Sequence, residues 1–77
     1  MSAKVFALIT AKPGKDREVV AALKGLEGVT TADAVTGPYD VIAVVEGERF
    51  DEICKLVTRE IQPVPDISGI VICLSTK

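Results

Sequence analysis

The sequence predicts an α+β domain of the ferredoxin-like kind: a four-stranded antiparallel sheet with two helices on one face, in the chain order βαββαβ. Three observations carry that expectation. Short β-branched apolar runs alternate with two segments of helical period. Gly and Pro punctuate the junctions, as in "KPGK", "TGPYD" and "QPVPD". The length, 77 residues, leaves room for a single domain spanning residues 1–77.

The elements follow in order. "KVFALITAK" (4–12) is too short for a buried helix and rich in strand-forming residues, and Pro13-Gly14 ends it. "KDREVVAALKGLEG" then sets Val19, Val20, Leu23 and Leu26 at helical spacing. Asp16 and Glu18 fall in its first turn, where the helix dipole favours acids, and Gly25 or Gly28 can stop it. "VTTADAVTG" (29–37) reads as a more polar strand, and the turn at Gly37-Pro38 joins it as a hairpin to the apolar "YDVIAVVEG". "ERFDEICKLVTREIQ" is the second helix, with Phe50, Ile53, Cys54, Val57 and Ile61 on one stripe and Pro63 at its end. "DISGIVICLS" is the last strand.

Right-handed crossovers place both helices on one sheet face and give the spatial order 4-1-3-2, with the first and third strands central. These strands are apolar on both faces. The first has Val5, Ala7 and Ile9 opposite Phe6, Leu8 and Thr10; the third has Val41, Ala43 and Val45 opposite Ile42 and Val44. The last sets Ile70, Ile72 and Leu74 opposite Val71 and Cys73. A sheet with water on one side alternates apolar and polar residues, so the second face calls for a cover. The simplest cover is the same face of another copy, which makes the expected form a dimeric α/β barrel closed by sheet-to-sheet packing.

Composition narrows the function. Nine Lys/Arg against eleven Asp/Glu, with no basic cluster, argue against direct nucleic-acid binding. No apolar stretch reaches the roughly 20 residues that cross a bilayer, so no membrane partner is expected. The chain has no His, which removes the usual general base and transition-metal ligand; neither cofactor nor metal is expected. Cys54 and Cys73 lie outside any CxxC spacing and read as small buried hydrophobes in a reducing cytoplasm, with an oxidised pair or a shared intermolecular metal as the alternatives.

The run from "KVFALITAKPGK" through "VVAALKGLEGV" and "ADAVTGPYDVIAVVEGERFDEICKLVTREIQPVPDI" resembles the effector-binding domain of the Lrp/AsnC regulators. Its most specific parts are "PGK" before the first helix and "VTGPYD" before the third strand. The resemblance implies the same fold, dimers formed sheet to sheet, further assembly of those dimers into rings, and amino acids or related metabolites bound near Gly37 to Asp40. This chain begins at the first strand and resembles a stand-alone version without the helix-turn-helix; modulation of full-length regulators by mixed assembly is a separate expectation. Ile70 and Ile72 stand where relatives carry threonines.

The candidate ligand-binding residues are Gly37, Pro38, Tyr39, Asp40 and Ser68. Gly37 and Pro38 suit a rigid turn. Asp40 either caps that turn through its own backbone or receives a ligand ammonium. Tyr39 offers an amphipathic ring at a subunit boundary, free loop N–H groups suit a carboxylate, and Ser68 adds a hydroxyl. The rival reading is a small barrel enzyme, an isomerase or a cofactor-free monooxygenase, for which Tyr39, Asp40 and Glu46 are the proton-transferring residues at hand. A purely structural oligomer is the third.

Overall fold

The computed structural model describes residues 3–76. Strand β1 (Ala3–Ala11) leads to helix α1 (Asp16–Lys24), then to strands β2 (Val29–Ala34) and β3 (Val41–Gly47). Helix α2 (Phe50–Leu56) continues into a π-helical turn over Val57–Ile61, and β4 (Ile67–Leu74) closes the chain. The strands form one sheet in the order β2-β3-β1-β4, with every pair antiparallel. The ferredoxin-like arrangement expected from the sequence is therefore the observed one.

Each element is set by local chemistry. In β1, Val5, Ala7 and Ile9 are buried while Lys4 and Phe6 are exposed, which is the period of a pleated strand. Helix α1 carries Asp16 and Glu18 in its first turn and Lys24 in its last, matching the helix dipole at both ends. Just past α2, Thr58 Oγ1 donates back to the Cys54 carbonyl at 3.0 Å. The next turn widens, and Gln62 N–H donates to the Val57 carbonyl at 2.8 Å. Nothing in the hydrophobic period of "ERFDEICKLVTREIQ" announced this change.

The core lies between helices and sheet. Val5, Ala7, Ile9, Val41, Ala43 and Val45 form its floor, and Val19, Leu23, Ile53, Val57 and Ile61 its roof. Burying each of the larger side chains contributes about 1.5–3 kcal/mol. No polar side chain is buried among the described residues.

Coverage is uneven. Helix α1 packs over β2 and β3, and α2 over β1 and β3. Register pairing sets Ile70, Ile72 and Leu74 beside Ile9, Ala7 and Val5 on the helix side. Yet Ile72 and Leu74 remain exposed there, since neither helix reaches over β4. The helical stripe is narrower than its sequence suggested. Ile53 and Val57 point inward, whereas Phe50 is 43% exposed.

In the single chain both thiols are exposed, which corrects the expectation of buried cysteines. Leu56 lies against Gly28 on one flank of α2, which leaves Cys54 on the other flank beyond the edge of the roof. Cys73 pairs in register with Phe6 and shares its uncovered face.

That face is apolar. Cross-strand register aligns Ile42, Leu8 and Val71 in one row, and Val44, Phe6 and Cys73 in the next. Phe6 and Val71 are exposed, while Leu8, Ile42 and Val44 are half-buried. No helix of the described residues is long and apolar enough to cross a membrane.

Candidate functional site

Two of the sequence-predicted residues, Asp40 and Ser68, bond the C-terminal end of β1 from opposite sides. On one side runs the hairpin loop between β2 and β3. Val35 N–H donates to the Asp40 carbonyl at 2.9 Å and closes the loop, and Asp40 N–H donates to the Ile9 carbonyl at 2.9 Å. Gly37 has φ 127°, a left-handed conformation that side chains avoid, so a glycine is needed at this point of the turn. Pro38 is exposed and Tyr39 half-buried. Among the described residues, the N–H groups of Gly37 and Tyr39 have no hydrogen-bond partner.

Asp40 has a structural task that neither sequence alternative contained. Its carboxylate Oδ2 accepts the Ala11 N–H at 2.7 Å, across the end of the sheet rather than within its own turn. Strand β1 outruns β3 here, so the Ala11 amide lacks a carbonyl opposite it, and the acid supplies the acceptor. A charge-assisted bond of this kind is stronger than a neutral one.

Ser68 approaches β1 from its other side. The β1–β4 register pairs Thr10 with Gly69 and Ala11 with Ile67, so Ser68 is the extra residue of a bulge. Its Oγ lies 3.1 Å from the Thr10 carbonyl and 3.2 Å from Thr10 Oγ1, either of which can accept its proton. Thr10 Oγ1 in turn donates to the Gly69 carbonyl at 3.3 Å. Thr10 and Gly69 escaped sequence reasoning. The clue was available, since the order 4-1-3-2 sets the end of the first strand beside the start of the last.

Two depressions flank this end. A volume of about 540 Å³ is lined by Asp16, Ala34, Val35 and Thr36, between α1 and the start of the hairpin loop. Another of about 310 Å³ is lined by Gln62, Ile67, Ser68, Gly69 and Ile70. Ser68 thus lines a depression, whereas Gly37 to Asp40 line neither of these two. Glu46 sits at the opposite end of the sheet, where it accepts from Thr30 Oγ1 at 2.8 Å. Tyr39, Asp40 and Glu46 therefore do not converge. Among the described residues no cluster of His, Cys, Asp or Glu could hold a metal ion.

The chain is thus a ferredoxin-like domain with one bare sheet face and polar groups gathered at the end of β1. The family is specific: residues 4–77 match the Lrp/AsnC ligand binding domain, and the chain belongs to that family. Among solved structures, it is similar to FFRP-DM1, with 29% identity and a TM-score of 0.88 over 95% of this chain and 97% of that one. It is also similar to the hypothetical protein PHS023 from Pyrococcus horikoshii, with 28% identity and a TM-score of 0.90 over 100% of this chain and 92% of that one. The transcriptional regulator NMB0573 from Neisseria meningitidis, solved as an L-Met complex, shares the fold at 14% identity and a TM-score of 0.84. That match covers 97% of this chain and 50% of the regulator, so this chain spans about half its length. A comparison with curated protein sequences finds no match.

Proposed function

We propose that this chain is a non-enzymatic, self-assembling module that binds an α-amino acid or a related small metabolite and so modulates regulators of amino-acid metabolism. The observation that carries the reading is the set of groups at the end of β1. Asp40 offers a carboxylate to an ammonium, the Gly37 and Tyr39 amides offer donors to a carboxylate, and Thr10 and Ser68 add hydroxyls. An α-amino acid presents the matching pair of charges. The L-Met complex of a protein with the same fold supports this choice of ligand class.

The assembly is a dimer built sheet to sheet, or a multiple of such dimers, in which the apolar rows around Phe6 and Val44 are covered. Soluble monomers usually keep contiguous apolar faces covered, and Phe6 and Val71 are exposed on this one. The ligand lies where subunits adjoin, with the loop at Gly37–Asp40 as one wall and the neighbouring subunit as the other. Full-length regulators of the family are the macromolecular partners, through mixed oligomers, and the compartment is the cytoplasm. Enzyme chemistry is disfavoured by the separation of Glu46 from Tyr39 and Asp40.

A thermal-shift screen of the twenty amino acids tests the reading. A ligand present at 100 times its Kd adds about 2.7 kcal/mol to the native state. One or a few amino acids are expected to raise the melting temperature. If none does at millimolar concentration, the amino-acid assignment fails.

A further inference from the structure

The sheet face opposite the helices changes character between two neighbouring rows near the C-terminal end of β1. Thr10 follows Phe6 and Leu8 by strand alternation and so stands on that face. Ser68 Oγ, 3.2 Å from Thr10 Oγ1, joins it there. The Asp40 carboxylate comes to the same end, bound to the Ala11 amide. One row further into the sheet, register sets Ile42, Leu8 and Val71 side by side on β3, β1 and β4. None of the three is fully covered in the single chain, since Leu8 and Ile42 are half-buried and Val71 is exposed. The row carries a charge at its β2 end, where the exposed Asp33 pairs in register with Ile42.

The polar groups set the direction of a bound amino acid. The Gly37 and Tyr39 amides belong to the loop beyond the strand ends, whereas Thr10 lies on the sheet. With its carboxylate on the loop amides and its ammonium at Asp40, the ligand is left to turn its side chain back along β1. Thr10 and Leu8 are two residues apart, about 6.6 Å at roughly 3.3 Å per strand residue. A side chain three or four bonds long, at about 1.5 Å per bond, covers enough of that distance to touch Leu8 and Ile42. The depression beside Ser68 offers another apolar wall, but its Ile70 pairs with Ile9 and faces the core side of the sheet. A ligand on the Thr10 hydroxyl lies on the opposite face.

Resting on the amino-acid reading above, we propose that Leu8, Ile42 and Val71 form the side-chain subsite of that ligand and select aliphatic or thioether side chains over charged ones. The three residues present methyl and methylene groups and no donor or acceptor, so a polar side chain would lose water without gaining a partner. Each methylene laid on the row strengthens binding about fourfold. Asp33 repels acidic side chains from the β2 end of the row. It offers little to a basic one, because an exposed ion pair adds about fivefold at most. Four methylenes on the row outweigh that contribution.

Calorimetry on the linear series alanine, 2-aminobutyrate, norvaline and norleucine tests the subsite, with methionine, lysine and glutamate alongside. The Kd should fall about fourfold with each added methylene, and methionine should bind much as norleucine does. Lysine and glutamate should bind roughly tenfold or more weakly than norleucine. Leu8→Ala, checked by light scattering for the parent's mass, should weaken norleucine roughly tenfold. It should leave alanine within about twofold, because alanine does not reach the row. Val71→Thr keeps the side-chain volume, disturbs the face least, and should weaken norleucine several-fold. A flat series, or lysine binding more tightly than norleucine, would overturn the subsite while leaving amino-acid binding in place. A rising series that neither variant alters would also overturn it, by placing the side chain on another wall. If none of the twenty amino acids binds in the thermal-shift screen, the amino-acid reading falls and the subsite with it.

Discussion

The Asp40 carboxylate holds the backbone amide of Ala11 at 2.7 Å, tying the hairpin loop to the last turn of β1. This bond and a ligand ammonium draw on the same negative charge, so one acid can serve structure and recognition together. The two roles separate by substitution. Asp40→Ala leaves a half-buried N–H without its acceptor and should cost about 1–3 kcal/mol in urea denaturation. Asp40→Asn keeps an oxygen for Ala11 but loses the charge. It should retain most of the stability while lowering amino-acid affinity, measured by calorimetry with the ligand found in the screen. Unchanged affinity in the Asn variant would confine Asp40 to its structural task.

Thr10 and Gly69 form the tightest contact at the same end. A Cβ placed on Gly69 would stand 2.7 Å from Thr10 Oγ1, closer than real side chains approach. The threonine is stiff at χ1 and cannot swing aside freely. Gly69→Ala should therefore cost about 1–3 kcal/mol by overpacking. Thr10→Ala should cost about 1 kcal/mol through its lost hydrogen bonds. The double variant should be more stable than the sum of the two losses by about 1 kcal/mol, as contacting residues couple. Strict additivity in that cycle would show that the glycine is not there to admit the hydroxyl.

Much of this architecture was legible in the sequence because burial leaves a period. Val5, Ala7 and Ile9 against Phe6 and Leu8 told both that β1 is central and that its second face is bare. What stayed hidden depends on register and reach. The bond from Ala11 to Asp40 exists because β1 outruns β3, and a strand offset leaves no mark on composition. The bulge at Ser68 is equally silent. Phe50 and Cys54 were misplaced for a different reason. They lie within the helical stripe, yet both stay exposed, Cys54 on the flank of the helix away from Leu56 and Gly28. Hydrophobic spacing reports which side of a helix faces inward, not how far its flanks are covered.

Asp66 stands just before β4 with φ 74°, a left-handed conformation in a non-glycine residue. Its carbonyl accepts the Lys12 N–H at 2.8 Å, so the strained residue is held by the end of β1. Aspartate tolerates this region better than most residues, and β-branched ones tolerate it least. Asp66→Gly should be near neutral, since relief of strain is offset by the greater entropy of an unfolded glycine. Asp66→Val should cost about 2 kcal/mol. Equal stability of the Gly and Val variants in urea denaturation would contradict a conformational origin.

Val44 occupies the middle of the uncovered face, in register with Phe6 on β1 and Thr31 on β2. A charge placed there is tolerable only if water reaches it. In a free sheet face Val44→Lys would extend its ammonium into solvent with little effect, as long side chains do. In the sheet-to-sheet dimer the same ammonium lands between two apolar surfaces without a counterion, at a cost of several kcal/mol. Light scattering should therefore show the parent as a dimer or larger at micromolar concentration, and the variant as a monomer or unfolded. The parent's melting temperature should rise with protein concentration, as it does when folding and association are linked. Ala21→Lys, on the exposed side of α1, serves as the control and should change neither mass nor melting behaviour. A Val44→Lys variant with the parent's mass and the parent's concentration dependence would place the oligomer interface on another surface.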